Sequence, residues 1–148
     1  LYGNKNTAMK NTNGVGYIKK SYIVKNENLI NKHKVIIPKA NGNGIDKYIL
    51  PSKPLYSEPN SICTDTYLVL SYFETKIEAE NFIKYVKTKF FRFLVSLRKN
   101  TQNTTKSTYS FVPKISMHKE WTDEELYERY DLTQKEISYI ENSIKEMK

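Results

Sequence analysis

Apolar positions follow two different periods along the chain, and the change between them separates a β part from an α part. Residues 17–24 and 34–38 are short runs rich in β-branched side chains, and both predict strands. Residues 61–70 alternate in part and end in an apolar run, which predicts a buried strand. Between them, residues 39–51 form a Gly- and Asn-rich turn with another short apolar run, and residues 52–60 predict an irregular connection.

The period becomes helical after residue 75. Thr75 and Glu78 have the spacing of a capping box, which begins a helix by satisfying its first free N–H groups. Apolar residues then recur at gaps of three, four and one, which predicts one long helix with these residues in the core: Ala79, Phe82, Ile83, Val86, Phe90, Phe93, Leu94 and Leu97.

Cationic residues of the predicted helix lie roughly opposite its apolar set at about 100° per residue. They are Lys84, Lys87, Arg92, Arg98 and Lys99. Such a face is either the solvent side of an amphipathic helix or a surface for an anionic partner. Phe91 and Val95 fall on the same side, so we expect another part of the chain, a partner or a missing domain to cover them.

Two further capping boxes, Thr122 with Glu125 and Thr133 with Glu136, predict two short C-terminal helices joined by a turn at residues 131–132. Trp121 precedes the first cap, where a hydrophobic staple belongs, so we favour a structural role over base stacking. The patterns together predict an α+β fold: a small mixed or antiparallel sheet packed on one long helix, with a C-terminal helical pair.

The net charge of the chain changes sign just before the two predicted C-terminal helices. The net charge is +8 overall, +12 for residues 1–118 and −4 for residues 119–148. We therefore predict a basic α+β domain of residues 1–118 and an acidic helical pair of residues 119–148 packed on it. Residues 81–119 hold nine Lys and Arg side chains and no carboxylate, which indicates an anionic partner, most commonly nucleic acid.

Residues 100–108 contain no apolar side chain and predict an exposed loop. A plain linker is one interpretation. The other is a loop that reads bases, because Asn and Gln pair bidentately with adenine, and Ser, Thr and Lys reach bases and phosphates. Its candidates are Gln102, Asn103, Thr105 and Lys106.

Catalytic patterns are missing from the sequence. His33 and His118 have no Cys, Ser or carboxylate at a recognisable ligand or triad spacing, and there is no phosphate-binding Gly loop. The single cysteine, Cys63, excludes an internal disulfide and a Cys-rich zinc site, and fits a reducing cytoplasm. We also expect no metal site. No apolar run reaches the length of a membrane span, so we expect no membrane partner. The start at Leu1, without a signal-peptide pattern, predicts a piece of a longer cytoplasmic protein.

Several segments together resemble a known family: "KVIIPKANG" (34–42), "ICTDTYLVL" (62–70), "TKFFRFLVSLRKNTQ" (88–102), "YSFVPK" (109–114) and "WTDEELYERYDLTQKEISYIENSIKEM" (121–147). They are similar to the TaqI-like C-terminal specificity domain, or target recognition domain, of bacterial restriction-modification enzymes with an adenine-specific DNA methyltransferase. The resemblance covers roughly residues 34 to 148 and is most distinctive in its second half.

The resemblance implies a division of labour within a larger enzyme. An upstream methyltransferase domain of the same protein would bind S-adenosylmethionine and methylate a flipped adenine, and some members of the family also carry an endonuclease domain. This chain holds neither the Asn/Asp-Pro-Pro-aromatic motif nor the Gly-rich cofactor loop, so we expect no cofactor and no catalytic residue in it. Its expected role is to bind double-stranded DNA and read bases in the major groove.

The resulting set of predicted DNA-binding residues joins a first loop, the basic helix face and the second loop: Lys39, Asn41, Asn43, Lys84, Lys87, Arg92, Arg98, Lys99, Gln102, Asn103, Thr105 and Lys106.

Two other functions remain open. One is an RNA- or single-strand-binding module that stacks bases on Tyr22, Tyr48 or Tyr109. The other is a protein interaction domain whose basic face docks on an acidic partner.

Overall fold

The described strands form two small three-stranded sheets. The computed structural model describes residues 8–11, 14–39, 52–98 and 105–147. One sheet is antiparallel, with β3 (His33–Pro38) between β4 (Leu55–Ser57) and β6 (Tyr67–Phe73). The other is mixed, with β1 (Ala8–Asn11) antiparallel to β2 (Gly14–Tyr17) and parallel to β5 (Ser61–Cys63). With four α-helices beside these sheets, the predicted α+β class is confirmed.

Strand predictions from the sequence are accurate for the centre of the antiparallel sheet and weaker around it. The strand predicted at residues 34–38 is confirmed as β3. The single strand predicted at residues 61–70 is two strands, β5 and β6, separated by a turn in which Tyr67 N–H donates to the Thr64 carbonyl (3.0 Å). The strand predicted at residues 17–24 is wrong, because β2 ends at Tyr17 and a short 3-10 helix follows at Lys20–Tyr22. The connection predicted at residues 52–60 contains β4.

Lys34, a residue of β3, has a buried and fully hydrogen-bonded ammonium group. It is only 3% exposed, and its ammonium group donates to the carbonyl oxygens of Leu29 (3.2 Å), Ile30 (3.1 Å), Lys32 (2.8 Å) and Glu58 (3.1 Å). One buried cation therefore ties β3 to the segment before it and to the turn after β4. Burial lowers the pKa of Lys34 to about 8.

The long helix predicted after residue 75 is wrong in one respect: it is two helices, α1 (Lys76–Lys87) and α2 (Lys89–Arg98). The predicted capping box of Thr75 and Glu78 is confirmed at the start of α1. Thr88 separates the helices, with an extended backbone (φ −59°, ψ 150°). Its hydroxyl donates to the Tyr85 carbonyl (2.7 Å) and accepts from Phe91 N–H (3.2 Å), so one side chain ends α1 and caps α2.

Two backbone N–H groups at the beginning of α2 find their acceptor in a distant residue, Asp123. Asp123 accepts the backbone N–H groups of Lys89 (2.9 Å) and Phe90 (2.8 Å). Phe91 N–H is bonded to the Thr88 hydroxyl, and Thr88 N–H to the Tyr85 carbonyl (3.1 Å). All four N–H groups that a helix leaves free at its start therefore have partners.

The break at Thr88 changes which side of α2 is buried. Phe91 and Val95 are 1% and 0% exposed, although a continuous helix would place them on the basic side. Phe91 packs edge-on against Tyr85, with 5.1 Å between ring centroids, so other parts of the chain cover it. Leu97, predicted as a core residue, is 53% exposed, and that prediction is wrong because α2 does not continue the rotation of α1.

The C-terminal helical pair is confirmed as α3 (Asp123–Arg129) and α4 (Gln134–Ser143), each with its predicted capping box. Asp131, in the turn between them, has the positive φ (50°) that Asp tolerates better than most residues. Trp121 donates from its indole nitrogen to the Ser116 carbonyl (2.8 Å) and packs against the core that contains Leu126, four positions into α3. The predicted structural role of Trp121 is thereby confirmed.

One hydrophobic core connects the helices. Its buried side chains come from α1, α2, the segment after residue 109 and the C-terminal pair: Tyr85, Val86, Phe90, Phe91, Val95, Met117, Leu126, Tyr127 and Ile140. The C-terminal pair thus packs on α2, while the division into two domains at residue 118 stays a prediction.

We expect Asp123→Ala to lower the free energy of unfolding by about 1–3 kcal/mol, because two N–H groups at the start of α2 lose their acceptor. Asp123→Asn should cost less, since an amide oxygen can still accept one of the two bonds. Urea unfolding measures both. Glu124→Ala, at the next and exposed position of the same helix turn, is the matched control; an equal loss there would contradict the capping role.

Lys34 should make stability rise with pH in the alkaline range. Its folded pKa is about 8 against an ordinary 10.5, so over this interval the unfolded chain holds a proton that the folded chain has released. Its contribution therefore increases between these pH values. The raised pKa values of Cys63, Tyr85 and Tyr127 act in the opposite direction, because their unfolded forms ionise first.

The difference in unfolding free energy between the wild type and Lys34→Met isolates this contribution, because Cys63 and both tyrosines are present in each protein. It should shift in favour of the wild type as the pH rises from 8 towards 10.5. Parallel pH profiles of the two proteins would contradict the lowered pKa.

Candidate nucleic-acid interface

The predicted DNA-binding residues fall into three groups in the structure. Asn41, Asn43, Lys99, Gln102 and Asn103 lie outside the described residues, and their roles stay predictions. Lys39, Lys84 and Lys87 lie at the sheet and on α1. Arg92, Arg98, Thr105 and Lys106 belong to α2 and the 3-10 helix at Lys106–Tyr109 with the residue before it.

Lys39, directly after β3, forms an ion pair with Asp65 at 2.6 Å. This hydrogen bond and the charge of Lys39 lower the pKa of Asp65. Exposed ion pairs of this kind contribute little to stability.

The basic side of α1 is met by the acidic C-terminal segment. Lys84 forms an ion pair with Glu120 at 2.5 Å, and Lys87 is half-buried. At the start of α2, Lys89 forms an ion pair with Glu141. The acidic C-terminal segment, residues 119–148, therefore neutralises part of the positive charge that the sequence concentrates between residues 81 and 119.

Arg92 does not lie on the solvent face that the sequence predicts. It is 1% exposed, and its guanidinium donates to the Lys145 carbonyl. The prediction is wrong because the break at Thr88 turns this position of α2 towards the core. Arg92 connects α2 to the end of the C-terminal segment and is not available to a phosphate in this structure.

The other end of α2 carries an exposed cluster that we call the basic tip: Arg98, Thr105, Lys106, Ser110 and Phe111. Arg98 donates from Nε to the Ser110 hydroxyl (3.2 Å), and its guanidinium carbon lies 5.0 Å from the centroid of the Phe111 ring. Phe111 is 51% exposed. Thr105, beside Lys106, donates its backbone N–H to the Thr108 hydroxyl (3.1 Å), and its carbonyl accepts from Thr108 N–H (3.0 Å).

The core fixes the basic tip in place. Thr108, in the segment predicted as an exposed loop, is only 6% exposed, and Tyr109 packs against Phe91 with ring centroids 6.2 Å apart. The 3-10 helix is therefore attached to α2 by buried contacts. Among the residues that the structure describes, neither Arg98 nor Lys106 forms an ion pair with a carboxylate.

Sequence reasoning did not select Ser110 and Phe111. Both follow the predicted loop of residues 100–108. A usable signal was present in the sequence, because residues 89–111 hold five cations and no carboxylate, and the aromatic Phe111 ends this stretch.

Other kinds of site have little support in the described ranges. No group of three His, Cys, Asp or Glu side chains there could hold a metal ion. His33 Nδ1 lies 2.6 Å from the Tyr56 hydroxyl, and His118 Nδ1 lies 3.4 Å from a Glu78 oxygen. In the same part of the chain, every helix is too short or too polar to cross a membrane.

Comparisons of the chain with protein-family models, with curated proteins and with solved structures found no match. The resemblance to a TaqI-like specificity domain therefore stays a prediction.

We expect Arg92→Ala to act on stability. Truncation of this buried side chain should lower the free energy of unfolding by about 2–5 kcal/mol, the range for large-to-small changes in a core, and it also leaves the Lys145 carbonyl without its donor. Chemical denaturation measures the loss. Lys84→Ala, which removes only an exposed ion pair, should cost less than about 1 kcal/mol, and a similar cost for both would refute the buried role of Arg92.

Proposed function

We propose that this chain binds double-stranded DNA and reads a target sequence, as the target recognition domain of a bacterial restriction-modification enzyme. In this proposal the upstream domain of the same protein is an S-adenosylmethionine-dependent, adenine-specific DNA methyltransferase, with or without an endonuclease. The protein acts on the genome and on invading DNA in the cytoplasm. The chemistry takes place upstream, and this chain supplies affinity and sequence preference.

The basic tip is the observation that carries the proposal. The acidic C-terminal segment forms ion pairs with Lys84 and Lys89, yet Arg98 and Lys106 at the other end of α2 have no carboxylate partner in the described part of the chain. A surface charge that the protein itself leaves unneutralised favours an anionic partner, and each phosphate bound there would release condensed counterions. The C-terminal end of α2 also stabilises positive charge at Arg98.

We assign base reading to the two segments for which the sequence predicts it. Gln102 and Asn103 fall between Arg98 and Thr105 in the sequence, and Asn41 and Asn43 follow Lys39. Carboxamide side chains pair with the N6 and N7 atoms of adenine in the major groove. Lys106 would hold the phosphate backbone, which fixes position without specifying sequence.

Binding measured against ionic strength tests the proposal. We expect the affinity of the chain for a duplex to fall linearly with salt on logarithmic axes, with a steeper slope than for single-stranded DNA or RNA of the same sequence. Lys106→Ala should reduce the slope by about one, the value for one phosphate contact. Lys135→Ala, which removes an exposed cation from α4, is the matched control and should leave the slope unchanged.

Each other result identifies a different function. Tighter binding to single strands or RNA than to duplex would support a stacking module; Tyr22 is 65% exposed and could serve it, whereas Tyr109 packs in the core. Absence of binding to all three polyanions would refute the proposal and leave a protein interaction domain.

A further inference from the structure

The guanidinium of Arg98 is held from two directions. Ser110 accepts the Nε hydrogen bond in the plane of the guanidinium, at 3.2 Å, and the Phe111 ring lies near it with 5.0 Å between the ring centroid and the guanidinium carbon. Surface arginines usually sample many rotamers, and a contact at the edge together with a contact to a ring restricts that freedom. Both partners come from the segment that the core fixes to α2 through Tyr109 and Phe91.

The bond to Ser110 leaves the terminal nitrogens of Arg98 for a partner. Their N–H groups form a planar fork that matches two adjacent acceptors. In DNA, such a pair is offered by O6 and N7 of guanine or by two oxygens of one phosphate. A guanidinium that is already oriented loses less conformational entropy when it binds such a pair.

We infer that Ser110 and Phe111 are positioning residues that orient Arg98 for bidentate binding of paired acceptor atoms in DNA. The inference rests on the proposed duplex binding. It adds two residues to the interface and gives Arg98 a role that a lysine would fill less well, because an ammonium group is a point charge without a planar fork.

The experiment begins with a pool of duplexes with a randomised central segment, from which the wild-type chain selects its preferred sequence. Affinities for that sequence are then measured for the wild type, Arg98→Lys, Phe111→Leu and the double variant. Arg98→Lys keeps the charge, so we expect an unchanged salt slope and an affinity loss of about 5- to 150-fold, the range for a bidentate contact. Phe111→Leu should weaken wild-type binding but have no further effect in the Arg98→Lys background.

The source of the acceptors follows from changing each base pair of the selected duplex in turn. If Arg98→Lys removes the preference at one G·C pair, the acceptor is guanine. If it weakens binding equally on all sequences, the acceptor is a phosphate. Either result supports the inference.

Two results would overturn it. One is an Arg98→Lys chain that binds and discriminates as the wild type does, and the other is an equal effect of Phe111→Leu in both backgrounds. In these cases duplex binding with its salt slope persists, so the proposed function stands. A wild-type chain that binds no duplex refutes both, because the fork then has no DNA acceptor.

NMR relaxation of the Arg98 Nε–H group in the free chain provides a readout that does not depend on DNA. The group should be ordered in the wild type and more mobile in Ser110→Ala and Phe111→Leu. Equal mobility in all three proteins would refute the positioning role whatever the binding data show.

Discussion

The arrangement of the helices depends on one carboxylate that caps a helix to which it does not belong. Asp123 lies in the first turn of α3 and accepts the first two N–H groups of α2, 34 and 33 residues earlier in the chain. With the Thr88 hydroxyl accepting the third, from Phe91, α2 begins at Lys89 and not as a continuation of α1. This start places Phe91 and Val95 in the core and Arg98 at the exposed end.

The same cap explains which parts of the fold could be predicted from the sequence. Capping boxes are local, and all three at Thr75, Thr122 and Thr133 are confirmed. The break at Thr88 requires an acceptor from a distant segment, which no periodicity records. Its only trace in the sequence was that Phe91 and Val95 lie among cations on a continuous wheel, and the break resolves that conflict.

The candidate site, like the fold, could be predicted from the sequence only in part. The absence of carboxylates between residues 81 and 119 correctly indicated excess positive charge, but charge patterns do not show which cations are already paired. The fold pairs Lys84 and Lys89 with carboxylates of residues 119–148 and buries Arg92. In the described part of the chain, Arg98, Lys106 and Lys114 are exposed and have no carboxylate partner. Ser110 and Phe111 became visible only through their contacts with Arg98, since neither has a distinctive spacing.

The distant origin of the Asp123 cap has a consequence for synthesis. A ribosome delivers the chain from its N-terminus, so the residues of α2 leave the exit tunnel before Asp123 does. During that interval the N–H groups of Lys89 and Phe90 lack their final acceptor, and Phe90 lacks the neighbours that α3 supplies. We therefore expect α2 to reach its final start, and Arg98 its exposed position, only after Asp123 has been synthesised.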